Sequence, residues 1–278
     1  MKGISRLRFY YGIARGALSR AARGGFTRTE KLVEHAYSDN YANETNEDFM
    51  LKVAPHFAWG KPALYPVVEH KKFLLRLFAD KLISFGTETV LELGSGRGFN
   101  LLALALLCPR LNALCGIELS AEGVAVARKN AAHPPLHLLQ HLTGMSESLI
   151  QKRLKEVRFE FTQGSITALP FADRSFDAVF SNSVIEQIPR DYPQVFAEAR
   201  RVSRVVGIFS DPFSEAQGWN IFYRFYLKNI DYFCATYRVA EDAGWRVFQF
   251  EIPPLQKAVF NTGMLTVVHA PAKKILNR

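Results

Sequence analysis

Val90-Leu-Glu-Leu-Gly-Ser-Gly-Arg-Gly-Phe-Asn100 is the stretch whose reading decides the fold. A short apolar run, 89–93, ends in Gly94, Gly96 and Gly98 and passes into a helical segment at 99–108. Glycines between a strand and a helix let the backbone turn tightly and leave amides open to a ligand that a Cβ would shield. A dinucleotide loop reads G-x-G-x-x-G and holds a pyrophosphate at the helix N-terminus. Here the third glycine comes one residue early, and Glu92 stands two residues before the first. A carboxylate there repels a pyrophosphate and suits a cationic amino group.

Downstream, Gly116-Ile-Glu118-Leu-Ser120 places an acid at the tip of the next strand, where a bidentate carboxylate can accept both hydroxyls of a ribose. Short apolar runs at 113–119, 157–163, 176–182 and 204–210 alternate with helical segments at 121–131 and 191–203. Such alternation implies right-handed crossovers and a mainly parallel sheet covered on both faces. Upstream, Tyr65 to Ile83 has helical spacing, and Ser38 to Asp48, polar and rich in Asn, Asp and Glu, reads as a connection. Leu136 to Val157 reads as an extra helix, and strand candidates at 245–252 and 264–269 flank Pro253-Pro254 as a hairpin.

With these elements in place, Val90 to Phe209 resembles the class I S-adenosylmethionine-dependent methyltransferases, in particular the branch called methyltransferase type 11. A third motif carries the likeness: Gln163-Gly-Ser-Ile-Thr-Ala-Leu169-Pro-Phe-Ala-Asp-Arg-Ser175-Phe-Asp-Ala-Val179, in the place of the family's G-D…LPF…SFD…V. The resemblance implies a doubly wound, mainly parallel seven-stranded α/β sheet with helices on both faces, a C-terminal antiparallel hairpin and an N-terminal helical extension. It implies S-adenosylmethionine as cofactor, with Gly94, Ser95, Gly96 and Gly98 in the loop along its methionine and ribose and Glu92 near its amino group. Glu118 would hold the ribose, Leu119 would pack beside adenine, Ser165 and the Ile166 amide would meet the adenine edge, and Ser181 and Asn182 would border the methionine. Ser165 stands where the family often has aspartate, and Gln187 stands where it commonly has histidine. A neutral amide cannot serve as a base near pH 7, so no catalytic residue is assigned.

The residues divide into a basic helical extension, 1–40, and a cofactor-binding domain, 41–278, with a helical insertion around 132–156 and an aromatic, acceptor-covering segment around 212–237. Within the latter, Trp219, Phe222, Tyr223 and Tyr226 share a helix face that would line an apolar acceptor pocket, or would be ordinary core. His133, His137 and His141 recur every four residues, but no Cys, Asp or Glu one turn away completes a metal set, and none is expected.

The net charge of +9 sits at one end: residues 1–31 carry +7 and the rest about +2. A near-neutral body argues against a nucleic-acid partner. The arm, with Ile4, Leu7, Tyr11, Ala14 and Leu18 at helical spacing, reads as a docked helix, a peripheral membrane contact, or, over 1–25, an organellar presequence. Three cysteines without C-x-x-C spacing favour a reducing, cytoplasmic setting. The leading expectation is a methyltransferase acting on a small-molecule or lipid-like acceptor. The alternatives are an RNA or protein methyltransferase, a non-catalytic protein retaining the fold, and an NAD-dependent oxidoreductase, which Glu92 disfavours.

Overall fold

The computed structural model describes residues 27–258 and 260–269, so the predicted helix stripe from Ile4 to Leu18 lies outside the described residues. In chain order, α1 (Glu30–Asn43), α2 (Asn46–Leu51), the strands β1 (Val53–Ala58) and β2 (Lys61–Pro66), and α3 (Val67–Ser84) come first. They are followed by β3 (Thr89–Leu93), α4 (Phe99–Leu107), β4 (Ala113–Glu118), α5 (Ala121–Ala132), α6 (Leu136–Thr143), α7 (Glu147–Lys155) and β5 (Arg158–Gln163). Next are β6 (Phe176–Asn182), α8 (Tyr192–Val202), β7 (Ser203–Asp211), α9 (Ser214–Gln217), α10 (Ile221–Asn229), α11 (Val239–Asp242), β8 (Trp245–Glu251), β9 (Leu255–Lys257) and β10 (Gly263–His269).

Seven strands form one sheet in the order β5-β4-β3-β6-β7-β10-β8. The first five run parallel, and β10 pairs antiparallel with β7 and β8, so the expected doubly wound sheet and C-terminal hairpin are both present. Because β4 lies on one side of β3 and β6 on the other, the strand order reverses there and opens a crevice at the carboxyl ends. A second, antiparallel sheet, β2-β1-β9, stands apart from the first.

Alternate side chains of each strand feed two core layers. Val90, Ala178, Phe180, Val206 and Ile208 face one layer, and Leu91, Leu93, Val179, Phe209 and Leu265 the other. In α4, Leu101, Leu102 and Leu104 are fully buried, each withdrawing a side chain worth about 1.5–3 kcal/mol from water. No helix among the described residues is long and apolar enough to cross a membrane.

Three local readings change. The segment 38–48 is not a connection but the end of α1 and the start of α2, because Thr29 and Thr45 cap the two helices and Thr45 closes a capping box with Asp48. The single helix expected over 136–157 is split at Gly144, which ends α6 at φ 78°. Residues 65–66 belong to β2 rather than to the following helix: Trp59 and Gly60, at φ 49° and 77°, make the tight turn that folds β2 back on β1.

One arginine secures the loop before β6. The Arg201 guanidinium forks onto Glu198 at 2.8 Å and donates to the carbonyls of Leu169 (2.9 Å) and Phe171 (2.6 Å). Arg201→Ala leaves those acceptors without their donor, for an expected loss of about 2 kcal/mol and a fall in Tm of about 4–8 °C. A melting curve that overlays wild type would show that this anchor carries no stability.

Candidate functional site

Gly94, Gly96 and Gly98 all take positive φ (65°, 51° and 75°), the left-handed region that L side chains resist. The Ser95 amide donates to the Ile117 carbonyl at 2.9 Å, which pins the turn to β4. Glu118, at the end of β4, reaches back over it: Oε2 accepts from the Gly96 amide at 2.9 Å and Oε1 from the Ser120 amide at 3.2 Å. Burial pushes the Glu118 carboxyl up while these amides pull it down. A carboxylate has about four lone-pair positions, so two amides leave capacity for a ligand's hydroxyls.

The turn opens on a cavity of about 600 Å³ and a smaller hollow of about 160 Å³. Gly94, Glu118, Leu119, Ile166 and Asn182 line the cavity, and Ser95 and Gly96 line the hollow. Glu92, Gly98, Ser165 and Ser181 do not reach either wall. A Cβ on Gly98 would come within 2.9 Å of the Phe161 ring, so that glycine serves close packing of α4 on the sheet. Ser165 donates to Glu30 and holds α1, and Ser181 donates to Asp211 at 3.1 Å. Glu92 is 1% exposed: Asn100 donates to its Oε1 and accepts from Lys71 Nζ at 2.6 Å, standing between the acid and the space in front. Burial pushes Glu92 up and Lys71 down, while their mutual attraction opposes both shifts.

The rest of the wall comes from residues that sequence reasoning missed. Helix α1 lies across the turn, with the Tyr41 hydroxyl 2.9 Å from where a Gly96 Cβ would stand. Arg97 fixes it there, its guanidinium 5.3 Å from the Tyr41 ring and 3.1 Å from the Asn40 carbonyl. At the far end, β1, α3 and β9 supply His56, His70, Lys71 and Lys257. The two imidazoles have ring centres 4.9 Å apart. Desolvation is the main cause of the downward shift in both, taking His70 to about 3. The tight Trp59-Gly60 turn was the one local signal for the β1–β2 pair, and nothing local announces what it faces.

The aromatic segment stands elsewhere. Trp219 is 100% exposed and Phe222 48% exposed, while Tyr223 is buried with Leu227 and Phe260 in a satellite core. None of Trp219, Phe222, Tyr223 or Tyr226 lines the cavity, because α10 packs its inner face on Phe260. The histidines of α6 face acids on other elements, His137 with Glu47 and His141 with Glu69.

Residues 91–210 match the family described as a methyltransferase domain. That stretch carries a methyltransferase domain. Over 166 residues the chain is 32% identical to an arsenite methyltransferase of Aquipseudomonas alcaligenes, a match covering 57% of this chain and 42% of that protein. The chain thus spans less than half the length of the curated relatives it matches. Among solved structures, the magnesium protoporphyrin IX methyltransferase of Synechocystis PCC 6803 with bound SAH has a TM-score of 0.55 at 12% identity, covering 87% of this chain and 99% of that one. The cyclase SpnF reaches 0.62 at 15% identity, over 87% and 97%. These likenesses show the fold.

Whether the methyltransferase domain suits its family's cofactor is tested by its buried polar atoms. Ser95 Oγ and Asn182 Oδ1 have no hydrogen-bond partner, and both residues line the space beside the turn. Such orphans are uncommon in native structures and are satisfied by a ligand rich in hydroxyl, amino and carboxylate groups. Leu119 and Ile166 offer apolar walls for a purine, and Glu118 an acceptor for a ribose.

Proposed function

We propose that this methyltransferase domain transfers the methyl group of S-adenosylmethionine to a small-molecule acceptor held in the cavity. The observation that carries the reading is that one space joins the glycine turn and Glu118 to a wall of ionisable side chains from β1, α3 and β9. A volume of about 600 Å³ lies in the range of small-molecule sites. The cofactor supplies an electrophilic methyl on a sulfonium. The chain's own residues orient and exclude: Glu118 holds the ribose, Asn182 and Ser95 meet the methionine end, and Tyr37 and Tyr41 of α1 keep water from the turn. Burial is the main reason both phenols are held protonated.

The cavity does not suit arsenite as acceptor. Arsenic(III) is soft and thiophilic, yet Cys108 and Cys115 are buried in the core with thiols pushed up to about 12, and Cys234 packs beside the satellite core. None of the three lines the cavity.

Calorimetric titration tests the reading. S-adenosylmethionine and S-adenosylhomocysteine are expected to bind at one site and NAD not at all. Silence from both would favour a non-catalytic protein, and binding of NAD alone would favour an oxidoreductase.

A further inference from the structure

At the acceptor end one of two lysines has, among the described residues, neither a direct nor a bridged ion pair. Lys71 is answered by Glu92 through Asn100. Lys257 makes no ion pair: its Nζ donates to Ser183 Oγ at 3.0 Å and stands 5.2 Å from the Phe260 ring centre, while the Glu186 and Asp211 carboxyls feel its charge from farther off. Among the described residues, no carboxylate oxygen comes within 4.0 Å of it. Lys257 is the cross-strand partner of His56, so the two side chains leave the same face of the small sheet. An ammonium half-withdrawn from water with no direct ion pair is more stable beside an anion.

Two further observations point the same way. Ser183, which holds the ammonium, has φ 59°, a conformation that non-glycine residues seldom adopt and that gathers at binding sites. Around it stand two buried polar atoms with no partner: Glu186 Oε2, on a residue 5% exposed, and His70 Nε2, on a residue 7% exposed. Both residues line the cavity. Burial pushes the Glu186 carboxyl up while Lys257 and Gln187 pull it down, and in its protonated form it can donate a hydrogen bond. The His70 ring is neutral and can accept one.

We propose that Lys257, with Ser183 and Glu186 beside it, forms an oxyanion subsite that selects methyl acceptors carrying an ionised oxygen, a carboxylate or a phenolate, and that His70 Nε2 receives a hydrogen bond from a neutral donor on the same molecule. This rests on the methyl-transfer reading above. An acceptor bound as its anion needs no base. One lone pair of its oxygen forms the bond to the methyl carbon as the carbon–sulfur pair leaves to sulfur, which becomes a neutral thioether, and no proton moves. A protonated amine would meet Lys257 as a like charge.

The test uses binding rather than turnover. With S-adenosylhomocysteine present, 4-nitrophenol, whose visible absorption reports its ionisation, and its neutral counterpart nitrobenzene are titrated into the whole protein. The phenolate is expected to bind about tenfold more tightly than the neutral phenol, which lowers the apparent pKa of bound nitrophenol by about one unit, and more tightly than nitrobenzene. Lys257→Met is expected to abolish that shift while holding S-adenosylhomocysteine as wild type does, and Lys257→Arg to keep it. His70→Phe should leave the shift in place, because 4-nitrophenolate has no second donor for Nε2. Equal binding of the two probes, or a shift that survives in Lys257→Met, overturns the proposal. A wild-type protein that fails to bind S-adenosylhomocysteine would instead sink the methyltransferase reading beneath it.

Discussion

Replacing Glu118 with alanine is expected to weaken S-adenosylmethionine binding by about 30- to 1000-fold, the equivalent of about 2–4 kcal/mol for two charge-assisted hydrogen bonds. The residue combines two tasks. Its carboxylate already accepts the amides of Gly96 and Ser120, so it shapes the turn as well as facing the cavity. Alanine removes both functions, whereas Glu118→Gln keeps an oxygen for one amide and is expected to fall between alanine and wild type. Calorimetry on the two variants, with thermal melts beside it, separates the contributions. Should Glu118→Ala melt like wild type and still bind the cofactor within a few-fold, the ribose assignment would be wrong.

The second large effect is on pH dependence. Asp211 is fully buried at the end of β7, with Oδ1 accepting from the Glu186 amide and Oδ2 from Ser181, each at 3.1 Å. Burial, and then the neighbouring Glu186, push its carboxyl up to about 8. A raised carboxyl stabilises the fold fully below its unfolded value of about 3.9 and loses that contribution as pH rises through its folded value. His56, His70 and His269 are shifted down, so their contributions change only below their unfolded value of about 6.5.

Between that value and 8 the histidines are silent and Asp211 acts with them out of the way. Glu92 and Glu186 are shifted in the same direction as Asp211, and Lys71 works in the opposite sense. The difference between wild type and Asp211→Asn therefore reports Asp211 together with its coupling to Glu186. Wild-type stability from urea unfolding is expected to fall, relative to the variant, by up to about 1.4 kcal/mol per pH unit across this window, the share of a single retained proton. Parallel stability profiles would show that Asp211 is ionised in the folded protein.

Much of the sheet was legible because its signals are local. Buried parallel strands are short apolar runs, the crossover helices have their own period, and a glycine-rich turn announces itself by composition. Gly94, Glu118, Leu119, Ile166 and Asn182 could therefore be read as a group, and all five line the same cavity. Reading went astray where composition and packing disagree. Residues 38–48 look like a loop because most of their side chains are polar, yet Thr29 and Thr45 cap helices there and Tyr41 turns inward onto the glycine turn. The aromatic run 213–237 looks like a pocket lining, but aromatic content says nothing about which way a helix face turns, and Trp219 faces outward.

By itself the sequence determined the sheet, the turn and the acid that closes over it, since each depends on contacts within a strand, a loop and the following helix. Only the tertiary structure decided what stands opposite that turn. His56, His70 and Lys257 lie up to 201 residues apart in the chain and meet only because β9 returns to pair with β1 while α3 packs beneath them. That convergence is set by the pairing of distant strands and the burial of helix faces, and no local pattern records it.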